Sequence, residues 1–129
     1  MNKKSKEYLE KLNDMLFSSL KEAVPGVNIY QDSVSEDEED LKKIHHFIFE
    51  TGGFTKPETI GSLSQDVTVY YFSEGRDDLD SVALDIISKM EDNKHVFVRS
   101  TKEGYPKGEA DNYVDQLTFT FSRKVKYGC

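Results

Sequence analysis

The 129-residue chain has one cysteine, Cys129, and no tryptophan. A disulfide scaffold and a cysteine-based zinc site are therefore excluded. A lone thiol at the chain's last position has no fixed surroundings to lower its pKa, so a nucleophilic role is not expected. Histidine is scarce as well, with three copies, and proline occurs three times. No stretch approaches 18 apolar residues, so no membrane-spanning helix is expected. The first residues, Met-Asn-Lys-Lys-Ser-Lys-Glu, lead into no apolar run of the kind a secretory signal needs. A reducing cytoplasm is the expected compartment.

Basic residues are the minority, 17 against 24 acidic, for a net charge of −7 at pH 7 and a pI near 4.9. Duplex DNA repels such a chain on average, and the lysines are dispersed and not interleaved with aromatics. Sequence-specific nucleic-acid binding is not expected. Leu, Ile, Val and Phe make up 33 of the 129 residues, above the roughly one-fifth below which disorder prevails. The charged fraction of 32% and mean hydropathy of −0.64 nevertheless leave a thin core. A lone copy of such a chain is expected to be modestly stable, which favours oligomers.

Periodicity sets the elements. Leu9, Leu12, Leu16 and Leu20 recur at helical spacing over residues 5–24, and Pro25-Gly26 ends the run. Residues 27–30 form a short alternating strand. Glu36, Asp37, Glu38, Glu39 and Asp40 follow as five consecutive carboxylates, which must be solvated. Residues 44–51 alternate as a strand, and 53–62 read as a loop. The run around Val67-Thr-Val-Tyr-Tyr-Phe72 is apolar on both faces near its end, as in a strand covered on both sides. Asp77 is placed to cap a helix, with Asp80 three residues on. Leu79, Val82, Ala83, Ile86, Ile87 and Met90 give this helix its clear apolar stripe. Leu79, Val82, Ala83, Ile86 and Ile87 are expected to face Val67, Val69, Val96 and Val98. Residues 95–100 form a strand, 102–112 a loop, and Leu117, Phe119, Phe121, Val125 and Tyr127 a long final strand. Its length predicts an overhang with a free edge. The whole is expected to be a single α+β domain over residues 1–129: a mainly antiparallel sheet of about five strands with two helices packed on one face.

Candidate chemistry reduces to structural roles. Asp77, Asp78 and Asp80 open a helix, where capping and the dipole favour acids, and no calcium-type loop is present. His45 and His46 are adjacent in a strand and point to opposite faces, so they cannot share a metal. His95 stands apart from them. Ser62 and Ser64 lack the nucleophile-elbow glycines, and Gly104-Tyr-Pro-Lys-Gly108 lacks phosphate-loop spacing. Tyr70, Tyr71, Phe72, Phe119 and Phe121 suit a core or a subunit interface. No catalytic, metal-binding or cofactor-binding residue is therefore expected.

The succession of a leading amphipathic helix, the strand ending Val67–Phe72, the acid-capped helix Asp77–Met90 and two closing strands, the last Leu117–Val125, resembles the tail terminator (tail completion) proteins of tailed phages and phage-like prophage elements. The likeness lies in element order over nearly the whole chain. It implies a structural protein, not an enzyme. Such proteins close the growing tail tube as a homo-oligomeric ring, commonly a hexamer, between the tail tube protein and the head-side connector protein. They are made in the bacterial cytoplasm and end in the virion. A net-negative ring suits a channel that DNA crosses without sticking. The alternatives are a small cytoplasmic α+β ligand-binding or regulatory module, and a small stress- or toxin-related enzyme. For the ring, the charge pattern suggests a head-to-tail subunit contact. Arg123, Lys124 and Lys126 of one copy would meet Glu36, Asp37, Glu38, Glu39 and Asp40 of the next.

Overall fold

A computed structural model describes residues 3–32, 45–57, 60–106 and 113–126. The element order is α1 (Lys3–Ala23), β1 (Asn28–Gln31), β2 (His45–Thr55), β3 (Ser62–Glu74), α2 (Leu79–Asp92), β4 (Val96–Pro106) and β5 (Tyr113–Lys126). The strands form one sheet in the order β1-β2-β3-β5-β4. Only β1–β2 is parallel; the other three pairings are antiparallel. Both helices pack on one face, so the α+β architecture expected from periodicity holds.

That face carries the core. Leu16 and Leu20 of α1 and Val82, Ile86 and Met90 of α2 are buried against Phe47, Phe49, Val67, Val69, Phe119 and Phe121, and Leu12 of α1 is buried as well. The period of two puts alternate strand residues beneath the helices. Their neighbours Thr68, Tyr70, Phe72, Thr118 and Thr120 lie on the opposite face and are half-exposed. The expectation that β3 is covered on both sides is thus corrected. Of the aromatic residues at its end, Tyr71 is buried against Phe47, while Tyr70 and Phe72 lie on the open face, where His46 packs on Phe72 and meets Tyr30 edge-on.

Four further expectations change. β2 runs on through Gly52-Gly53 to Thr55, because a bulge between Thr51 and Phe54 absorbs the glycines without ending the pairing with β3. β4 likewise runs on to Pro106 through residues read as loop. In β4 it is Phe97, paired with Phe121, that takes the inward position, and a bulge between Phe97 and Arg99 shifts the parity of the strand from Arg99 onward. Phe97 packs on the core while Val96 and Val98 are 61% and 50% exposed, so these valines do not face α2. Finally, β5 is no overhanging edge. It lies between β3 and β4, with its residues paired to β3 from Val114 to Lys126. Its length is matched by the 13 residues of β3. The sheet's outer strands are β1 and β4.

Candidate functional site: a buried guanidinium and a basic cleft

The acidic run 36–40 lies outside the described residues. Its expected partners do not form one exposed cluster. Lys124 and Lys126 are exposed, but Arg123 is 1% exposed, so its charge is not offered to a neighbouring copy as a surface group. The reason is parity: Arg123 stands between Phe121 and Val125, both buried, on the helix-facing side of β5.

A chain of hydrogen bonds holds Arg123 there. Its Nε and Nη2 donate to Gln65 Oε1 at 3.0 and 2.8 Å. Gln65, directly opposite on β3, uses its Nε2 to donate to the Gly52 carbonyl on β2 at 3.0 Å. On the other side, Arg123 Nη1 is 3.4 Å from His95 Nε2, and His95 Nδ1 is 2.9 Å from the Asn93 carbonyl. A carbonyl only accepts, so Nδ1 carries the proton and Nε2 accepts from the guanidinium. Asn93 donates through Nδ2 to Ser19 Oγ at 2.6 Å, tying the end of α2 to α1. The network therefore crosses both helices and β2, β3 and β5. Burial, reinforced by the nearby guanidinium against the opposing pull of its bond to Asn93, holds the His95 pKa down to about 4. Burial also lowers Arg123, to about 10. No carboxylate neutralises this guanidinium among the described residues.

Arg123 also lines a surface cleft of about 450 Å³, with Tyr8, Lys94, Val96, Ser122 and Lys124. Lys94 and Lys126 place their ammonium groups 5.8 and 5.4 Å from the Tyr8 ring centre, within cation–π range. A shallow apolar hollow lined by Leu9, Phe54, Leu63, Val125 and Lys126, among others, lies at the same end of the sheet.

A second polar cluster sits at the opposite end. Arg76 donates from Nε and Nη2 to the two carboxylate oxygens of Asp78 at 2.7 and 3.0 Å, and from Nη1 to Tyr71 Oη at 3.2 Å. Tyr71 Oη is in turn 2.6 Å from His45 Nε2. The Asp78 carboxyl is held below its usual range by this bond, and Arg76 is raised by it. Asp78 occupies the N-cap position of α2 but makes no side-chain capping bond, and Asp80 pairs with Lys102 at 3.1 Å. The N-cap thus falls on Asp78 and not on Asp77, and Asp78 and Asp80 serve as ion-pair partners. The three histidines do not converge: His45 lies by Tyr71, His46 on the open face, and His95 beside Arg123. Among the described residues, no group of three or more acidic, histidine or cysteine side chains could hold a metal.

Sequence reasoning missed Gln65, His95, Lys94 and Tyr8 as a group. The signal for Arg123 was present in the alternation Phe119, Phe121, Arg123, Val125, which places it inward.

A scan against protein-family models matches none, and a search of curated proteins finds no match. No described helix is long and apolar enough to cross a membrane.

Proposed function

We propose that this chain is a non-enzymatic assembly subunit of the tail terminator class. It would form a homo-oligomeric ring that joins a tail tube protein to a head-side connector protein, first in the bacterial cytoplasm and then in the particle. The observation that carries this reading is the edge of β4. Among the described residues nothing pairs with its outer side, and it carries the exposed valines Val96 and Val98 beside a bulge. A free strand edge can pair with another chain. The short outer strand β1 lies at the far side of the sheet. A contact from one edge to the other is heterologous, and heterologous contacts close into rings when the rotation fits. Exposed Phe54 and Ile60, near the turn between β2 and β3, supply a separate apolar surface for a second protein.

The test is the solution mass by light scattering across a concentration series. The expected species is a closed multimer of the 14.8 kDa chain, a hexamer by the resemblance. Replacing Val96 and Val98 with lysine should return it to monomer without unfolding it, because both side chains already face solvent. A wild-type monomer at every concentration would overturn the ring and favour the small ligand-binding module.

A further inference from the structure

We propose that the cleft lined by Tyr8, Lys94, Arg123 and Lys124 is a binding site for the carboxylates of an acidic peptide segment. Three independent features converge on it. The first is uncompensated charge. In a chain of net charge −7, Lys94, Lys124, Lys126 and Arg123 gather at one end of the sheet. None of them makes an ion pair among the described residues.

The second is the guanidinium's spare capacity. Arginine has five N–H donors, and three donations from Arg123 are accounted for. Its acceptors, Gln65 and a neutral His95, are uncharged, so the buried cation is not neutralised and its charge acts on the cleft it lines, where the exposed Lys94 and Lys124 make the direct contacts.

The third is backbone strain. Lys94 has φ 69 in the turn from α2 to β4, a left-handed conformation that helix ends usually give to glycine or asparagine. Non-glycine residues held there cost free energy and cluster at sites of function. Here the strained turn carries the Lys94 ammonium to the Tyr8 ring, at the mouth of the cleft.

A carboxylate partner fits better than a nucleic acid. The cations occupy one compact cleft at a sheet end and do not form the stripe that follows a phosphate backbone. The surface elsewhere is predominantly acidic and repels DNA at long range. The site stands on these residues alone and does not depend on ring formation.

The experiment is fluorescence anisotropy with a labelled, end-blocked peptide copying residues 34–40 of this chain, and separately with a 20-base-pair duplex. The comparison variant is Lys94→Gly combined with Lys124→Gln. It should fold well, since glycine suits φ 69 and Lys124 is exposed. Saturable, salt-sensitive peptide binding is expected, weakened about tenfold in the variant, which loses two exposed cations of the cleft. The duplex is expected not to bind. Absence of saturable peptide binding would overturn the proposal, as would equal binding by wild type and variant. Duplex binding that needs Lys94 and Lys124, without peptide binding, would replace the acidic peptide with a nucleic acid.

Discussion

Arg76 and Arg123 are the arginines of two hydrogen-bonded clusters at opposite ends of one sheet, and they solve the same problem in opposite ways. Arg76 is partly exposed and meets a carboxylate, Asp78, through two bonds. Water solvates both charges there, so the geometry is good while the energetic return is small. Arg123 is buried and, among the described residues, meets a glutamine oxygen and an imidazole nitrogen. A buried charge is tolerated only when its hydrogen bonds are made. The difference teaches where this chain is vulnerable: not at its well-formed ion pair, but at the neutral acceptors around its buried cation.

The largest effect should come from breaking that arrangement. Gln65→Leu removes the acceptor for two of Arg123's bonds and leaves a buried cation poorly satisfied. The expected loss is about 3–5 kcal/mol of unfolding free energy, the range for stripping one partner from a buried charge. Denaturant unfolding would measure it. Adding Arg123→Met to Gln65→Leu should restore most of the loss, because an apolar pair of similar size needs no partners. A double variant as unstable as Gln65→Leu would mean that packing, and not charge, sets the cost.

A second effect, up to about 3 kcal/mol, should appear on acidification. In the folded chain His95 titrates near 4, whereas an unfolded histidine titrates near 6.5. As pH falls below 6.5 the unfolded chain takes up a proton that the folded chain refuses. Stability from this group is complete above about pH 6.5 and falls by about 1.4 kcal/mol per pH unit down to about 4, then levels off. The difference in unfolding free energy between wild type and His95→Gln, followed from pH 7 to 4, isolates this contribution from that of the carboxylates. A flat difference would mean that His95 is protonated in the folded state, which would place two cations in contact and contradict the bond from Arg123.

Much of the architecture was legible in the sequence because period and composition act locally. The stripe from Leu79 to Met90 and the alternation from Leu117 to Val125 each place an element and its buried face. The errors arose where one residue changes register. In β4 the inward face went to the single Phe97 and not to Val96 and Val98 on the other side of the same alternation, and the bulge at Phe97/Arg99 then shifts the register of the rest of the strand, which alternation alone does not show. The extent of β2 through Gly52 was obscured for the same reason, since glycines signal either a turn or a bulge. The candidate site was less legible. Arg123 looked like part of a basic tail with Lys124 and Lys126, although its parity matched Phe119 and Phe121. Its partners Gln65 and His95 are 58 and 28 residues away in sequence. Only the sheet order β3-β5-β4 brings them together, and that order is a long-range property no local pattern carries.

The smallest effect should come from Arg76→Ala. This change breaks a bidentate ion pair and a bond to Tyr71 Oη, more contacts than Gln65→Leu removes from Arg123. If bond count governed stability it would be the more damaging of the two. Asp78 lies at the surface, however, and once released it is simply solvated. Tyr71 keeps its 2.6 Å contact with His45. The unfolding midpoint should therefore stay close to that of wild type. The change should instead be visible in Tyr71 itself. Its phenol is already raised above the usual tyrosine range by burial, with Arg76 opposing that shift. Removing the guanidinium should push the phenol higher still, so that an alkaline ultraviolet titration shows one tyrosine ionising later than in wild type. A large drop in stability, or an unmoved tyrosine titration, would erase the contrast between the solvated arginine and the buried one.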